Sequence, residues 1–236
     1  PYGWYYKEER EVLNILEQIY QCLIDKGRWQ LILEGLGATL TIAAGAIVIG
    51  TVIGAVMALC RVSDNKLLRG ISLVYITVIR GIPMVTQLMI FAYIIFAPVR
   101  MDKVLVAVIA FGINSGAYMT EIMRGGIQGV DPGQMEAGRS LGLSKWQTMF
   151  KIILPQAVKN ILPTYTNEFI VLIKETSVAG YVAINDLTKV ADAIRNATFN
   201  AWVPLLTAAA IYLLLTIGLT KLFSLLERRM ARSDRG

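Results

Sequence analysis

Residues 35–60 pass without one charged side chain. A helix rises about 1.5 Å per residue and a bilayer core is about 30 Å thick, so about 20 apolar residues cross it. Four further apolar segments follow, near 71–97, 104–123, 160–183 and 201–223. Over the whole chain 55% of residues are hydrophobic and 17% charged. Soluble domains carry about 45–50% and about 25%. The charges lie between the apolar runs. This distribution predicts an all-α integral membrane protein with about five transmembrane helices and no soluble core.

The second segment is too long for one straight crossing and is interrupted by Arg80-Gly81-Ile82-Pro83. Proline cannot donate within a helix and kinks it. The part before Arg80 is therefore expected along an interface, with the span starting near Pro83 and Arg80 snorkelling at the boundary. Orientation follows from the loops. Loop 61–70 carries Arg61, Lys66 and Arg69; loop 124–159 carries Arg124, Arg139, Lys145, Lys151 and Lys159. The tail carries Lys221, Arg228, Arg229, Arg232 and Arg235. The intervening loops are poorer in positive charge. The positive-inside rule places the N-terminus outside and the C-terminus in the cytoplasm.

Three stretches follow: an interfacial segment 1–33, a permeation domain 34–225 with a long loop at 124–159, and a basic tail 226–236. In the first, Tyr2, Trp4, Tyr5 and Tyr6 form an aromatic cluster. Val12, Ile15, Leu16, Ile19 and Leu23 recur at helical spacing, as in an amphipathic helix lying in an interface or on another chain. The acidic Glu8, Glu9 and Glu11 precede the first span in place of a basic region. The first span is thus expected to act as an uncleaved insertion signal.

Several chemistries are excluded. There is no histidine, which removes Ser–His and Cys–His catalysis and the commonest metal ligand; no metal site is predicted. Gly112, Ser115 and Gly116 resemble a serine-protease segment, and Ser63 with Lys66 a serine–lysine pair. The first lacks a base and the second sits in a short charged loop. Cys22 and Cys60 are too few for a disulfide framework. The net charge of +6 is explained by topology and does not require nucleic acid. No phosphate-binding glycine loop ending in Lys-Ser or Lys-Thr occurs, so no cofactor is expected in this chain; if ATP drives it, another subunit binds ATP and Mg. Gly45, Gly50 and Gly54 recur in the first span and predict close helix packing.

Charges within spans are costly and mark functional sites. The fourth segment holds Glu168, Lys174 and Glu175. Thr164, Glu168 and Glu175 share a face, with Asn167 beside it. In the third, Asn114, Tyr118 and Glu121 line up, with Ser115 adjacent. An amino acid presents an ammonium and a carboxylate, so a buried site needs both signs of charge with amide and hydroxyl support. Asn114, Ser115, Tyr118, Glu121, Asn167, Glu168, Lys174, Glu175 and Ser177 are the candidate substrate-binding residues. The alternative for Lys174 and a glutamate is a structural ion pair between helices. Catalytic residues are not expected.

The loop 124–159 reads Asp131-Pro132, a helix start, then Glu136-Ala137-Gly138, then Gly142-Leu143, and Ile152-Ile153-Leu154-Pro155. Leu143, Trp146, Phe150 and Ile153 form a stripe at helical spacing. An ordered cytoplasmic loop this long asks for a docking partner. The segment resembles the EAA loop of ABC importer permeases, with Gly138 where a second alanine is usual. Arg80-Gly81-Ile82-Pro83 with Gln87, Arg124-Gly125-Gly126-Ile127, and Leu172-Ile173-Lys174-Glu175-Thr176-Ser177 are similar to the polar amino-acid branch, with Ile82 replacing threonine.

The resemblance covers roughly 30–225. It implies a type I importer fold in a bacterial cytoplasmic membrane, with a coupling helix whose Glu136, Ala137, Gly138, Gly142 and Leu143 meet an ATPase. The partners it implies are two ATP-binding subunits, a second permease copy or related permease, an extracytoplasmic amino-acid-binding protein and membrane lipids. An ion-coupled secondary amino-acid carrier is the alternative, but such a carrier needs no docking loop.

Overall fold

In a computed structural model of the chain, residues 14–232 are described, with side chains through residue 227. The aromatic cluster at Tyr2–Tyr6, Val12 and Arg235 lie outside the described residues. Residues 14–19 are helical and continue through a π turn, Tyr20–Ile24. Lys26 and Gly27 then take positive φ values of 55° and 69° and break the chain before the long helix α1, Arg28–Arg61. Next come α2 (Lys66–Gly81), α3 (Met84–Ile90, with a π turn Phe91–Ile95) and α4 (Lys103–Gln128). The loop contains α5 (Gly133–Ser140) and α6 (Lys145–Thr148). A π turn, Met149–Ile153, leads into α7 (Leu154–Glu175). A 3₁₀ stretch, Thr176–Val182, precedes α8 (Leu187–Thr198) and α9 (Trp202–Arg232).

Local chemistry sets the helix starts. Asn65 Oδ1 accepts from Leu67 N at 2.9 Å, and Asp102 Oδ1 accepts from Val104 N at 2.9 Å. Asp186 Oδ2 accepts from Thr188 N at 2.9 Å to begin α8. These are side-chain caps for the orphan amides of a helix N-terminus.

The most extensive helix pairing is α1 on α4, and small residues on both sides allow it. A Cβ on Gly45 would sit 2.7 Å from Val108, one on Gly50 3.0 Å from Ser115, and one on Gly112 2.7 Å from Ile49. A Cβ on Gly54 would overlap Met119. Each glycine is the hole for a side chain opposite. In lipid, where apolar burial between spans gains little, such close packing drives association. Ile42, Ala46, Ala107 and Phe111 join Leu88, Leu172 and Val182 in one core, so α3, α7 and the 3₁₀ stretch pack on this crossing.

Between α2 and α3 the chain turns by 103°. Ile82 is extended (φ −109°, ψ 131°) and Pro83 leads into α3. Tyr75 of α2 donates to Ile113 O of α4 at 2.6 Å. Arg80 stacks over the Tyr118 ring, 4.8 Å from its centroid. The bend thus brings the exposed Arg80 side chain onto α4.

By length and composition, three helical stretches among the described residues can cross a membrane: Asn14–Arg61, Lys103–Gln128 and Trp202–Glu227; the bent pair Lys66–Gly81 and Met84–Ile95 makes a fourth. The fourth apolar segment of the sequence is helical as α7. It is not among them, because Lys159, Glu168, Lys174 and Glu175 lower its apolar character. The same polar residues make α7 the candidate wall of a pathway. Glu168 and Glu175 are half-buried, and Asn167 and Lys174 are exposed.

Candidate substrate pathway and coupling element

The candidate residues separate into distinct places. Arg80 at the bend lies over Tyr118 of α4 and is the cation shared by Glu121 of α4 and Glu168 of α7. Glu168 lies within Coulombic reach of both Arg80 and Glu175, and Glu121 within reach of Arg80 and Arg61. Glu121 is also chelated by Arg124, whose Nε donates to both carboxylate oxygens at 3.1 Å and whose Nη2 lies 2.6 Å from Oε2. Its charge is largely matched inside α4. Glu168 has no such local partner among the described contacts, so Glu168 and Arg80, with Lys174 and Glu175 further along α7, are charges available to a ligand.

Other candidates are engaged elsewhere. Asn114, 4% exposed, donates to Gln87 Oε1 at 3.3 Å. Ser115 faces α1 at Gly50; its hydroxyl is buried without a hydrogen-bond partner in the described structure. Asn167 and Lys174 flank the Glu168 face on open surface. Ser177 lies past the end of α7, in a separate recess of about 300 Å³ with Tyr181, Thr188, Lys189 and Asp192.

A larger cavity, of about 460 Å³, lies between α1, α4 and the start of α7. Its walls are Ala55, Leu59, Met123, Ile127, Leu154 and Ile161, among others, and Thr51 and Tyr165 hydrogen-bond each other at 2.8 Å. It offers a zwitterion neither charge. A charged cargo is matched by the polar cluster and not by this apolar cavity.

The sequence reading did not foresee the contact of Arg80 with Tyr118 and attached no role to Gln87. The missed signal was local. A glutamine one turn after a proline inside an apolar run has stranded carbonyls within reach.

In the long loop, α5 ends in a Schellman motif. Leu143 N donates to Gly138 O at 3.2 Å and Gly142 N to Arg139 O at 3.0 Å, with Gly142 at φ +83°. A glycine is required there because a side chain at that φ is strained. Gly138 is buried against the next turn: a Cβ on it would lie 2.5 Å from Thr148 Cγ2. Glycine in place of alanine thus admits Thr148. Ser144 and Gln147 form a reciprocal capping box that starts α6.

The predicted stripe Leu143–Trp146–Phe150–Ile153 is split. Ile153 is buried with Ile127, Met149 and Ala157. Trp146 and Phe150 stack on each other at 5.9 Å and stay exposed. The π turn adds a residue per turn, which rotates Ile153 off the outer face. Glu136 and Ala137 are exposed, and Leu141 is 81% exposed.

Residues 50–232 match the family described as the inner membrane component of binding-protein-dependent transport systems. This chain belongs to that family. It is 38% identical over 201 residues to a putative glutamine transport system permease protein of Rickettsia bellii, covering 84% of this chain and 92% of that protein. It is 38% identical over 205 residues to the arginine transport system permease protein of Bacillus subtilis, covering 86% and 94%. A solved amino acid ABC transporter with histidines shares 42% identity at a TM-score of 0.78, covering 85% of this chain and 94% of that one. The inward-facing methionine ABC transporter, at 20% identity, TM-score 0.76 and coverage of 87% and 99%, shares the fold.

The all-α importer permease fold is thus established, and the chain is a transport subunit located in a membrane. Family membership gives no support to the ion-coupled carrier.

Proposed function

We propose that this permease moves a polar or charged amino acid across the cytoplasmic membrane of a bacterium. ATP and Mg are bound and ATP hydrolysed on separate subunits. The observation that carries the cargo reading is Arg80 stacked over Tyr118 with the half-buried Glu168 of α7 within Coulombic reach of it. A cation, an anion and a phenol on one face complement the carboxylate, the ammonium and the stem of an amino acid. The names of the glutamine and arginine relatives agree with it. Glu175, Lys174 and Asn167 extend the same surface along α7; Glu121 borders it, matched by Arg124, and Ser177 lines the separate recess beyond α7.

The exposed side of α7 and the outer faces of α2 and α3 leave room for a second permease, a copy or a related chain, so that two polar faces enclose the pathway. An extracytoplasmic binding protein delivers the amino acid. Two ATP-binding subunits meet α5 and α6 through Glu136, Ala137, Gly142 and Leu143, with Leu141, Trp146 and Phe150 as the apolar contact, and Gly138 supports that surface from behind by admitting Thr148. ATP shifts access only if it binds one state of the assembly better than the other. Membrane lipids cover α9, whose apolar side chains are mostly unburied.

In this reading α7 completes five spans, the bent α2–α3 pair counting as one. The N-terminus is outside, the tail is cytoplasmic, and segment 1–33 lies outside the permeation domain 34–225. Cysteines placed at Arg139 and at Asn196 in intact cells test the orientation. The site at 139 reacts only with membrane-permeant reagents and the site at 196 also with impermeant ones; the reverse pattern inverts the topology. Amino-acid-stimulated ATP hydrolysis by the purified assembly tests the function. Stimulation by glutamine or arginine is expected, and stimulation by sugars or metal ions alone contradicts the cargo reading.

A further inference from the structure

The bend between α2 and α3 strands two backbone carbonyls. In a continuous helix Ile79 O would accept from the amide at position 83, but Pro83 has none. Ile82 is extended, so its carbonyl turns out of the helical ladder. Carbonyls left unpaired inside a membrane protein cost several kcal/mol each. One side chain satisfies both: Gln87 Nε2 donates to Ile79 O at 2.6 Å and to Ile82 O at 2.7 Å. A primary amide nitrogen has two hydrogens, and both are used. The remaining amide oxygen accepts from Asn114 Nδ2 at 3.3 Å. That bond fixes the amide's orientation, and it ties the bend to α4 one helical turn before Tyr118. Both amides are almost wholly buried, Gln87 at 3% and Asn114 at 4% exposure. Arg80 is the residue immediately after Ile79.

We propose that Gln87 and Asn114 are positioning residues for substrate binding: together they hold the bend at the angle that sets Arg80 over Tyr118 and beside Glu168. They touch no substrate and act through Arg80. This rests on the reading of Arg80 as a ligand for the amino-acid carboxylate, and it moves Asn114 from the cavity wall to the frame behind it.

The test is binding of radiolabelled L-arginine and L-glutamine to the purified assembly of permease and ATPase subunits, without ATP. Arg80→Met is expected to raise Kd about ten- to a hundred-fold. Gln87→Met keeps the side chain's length and removes its hydrogen bonds; it is expected to raise Kd about tenfold. Added to Arg80→Met, it should change Kd by less than about twofold, because residues acting as one unit are not additive.

Asn114→Leu leaves the two amide–carbonyl bonds in place and frees only their orientation. It carries the test if Gln87→Met does not assemble, with a rise of about threefold. If Arg80→Met weakens binding while Gln87→Met and Asn114→Leu leave it intact, the positioning role is overturned and the site stands. If Gln87→Met and Arg80→Met add fully, Gln87 acts by general stability alone and the positioning role is likewise overturned. If Arg80→Met itself leaves Kd unchanged, the site reading falls and the positioning role with it.

Discussion

The crossing of α1 and α4 and the polar face of α7 are built on opposite rules. At the crossing each glycine receives a particular side chain from the facing helix, and Ile42, Ala46, Ala107 and Phe111 are sealed from solvent. Along α7 the charged residues lie open or half-open, and Glu168 has its nearest described opposite charge within Coulombic reach on another element, at Arg80. The first region is a fixed frame, because close-packed helices have few alternative arrangements. The second is unfinished in a single chain and depends on cargo and neighbouring subunits. A transporter needs both, since a rigid frame lets a change at the coupling loop reach the pathway.

Substitutions can break this contrast. The largest effect is expected at the frame. Gly54→Leu should abolish assembly, read as loss of a monodisperse peak in detergent. Gly54→Ala should cost about 1–3 kcal/mol by overpacking against Met119. Asn167→Ala on the open face should change stability by no more than about 0.5 kcal/mol. Equal melting shifts for Gly54→Ala and Asn167→Ala would erase the distinction.

The second effect falls on ligand binding. Glu168→Gln should weaken amino-acid binding about ten- to a hundred-fold, with near-normal melting. If Glu168 served only as a structural partner of Lys174, the single variants Glu168→Gln and Lys174→Met would each lower the melting temperature. The double variant would then regain it.

Two smaller effects sharpen the account of the loop. Gly142→Ala places a side chain at φ +83° and should cost about 1 kcal/mol. Import is expected to fall further than membrane insertion does, as measured by uptake against surface-accessible protein. Normal uptake with normal ATPase stimulation would remove Gly142 from the coupling contact. Gly138→Ala should cost about 1 kcal/mol or less through its clash with Thr148. Thr148→Ser removes the nearest methyl and should recover part of that loss; a purely additive pair would refute the fit of Gly138 to Thr148.

What was legible in the sequence tracks how local the governing physics is. The uncharged run at 35–60 and its glycines announce a tightly packed span, because periodicity and residue size act within one helix. The helix start at Asp131-Pro132 is likewise written into neighbouring residues, and Asp131 Oδ1 accepts from Gly133 N at 2.9 Å. The stacking of Arg80 on Tyr118 was not legible because it depends on a 103° turn, and that turn is bonded by Gln87 and, through it, by Asn114 from another helix. Asn114 and Ser115 were placed in the cavity from their polarity alone. One is spent on Gln87 and the other faces Gly50. The split of the loop's apolar stripe came from a π turn, which shifts the 3.6-residue period and leaves no mark in composition.

The most direct test of the central claim, that opposite charges on the bend and on α7 receive the cargo, is a structure of the assembled transporter with bound arginine or glutamine. The account predicts ligand density with its carboxylate within hydrogen-bond distance of Arg80 and its ammonium facing Glu168, beside the Tyr118 ring. Density confined to the recess at Ser177 and Lys189, or to the apolar cavity between α1, α4 and α7, would contradict it.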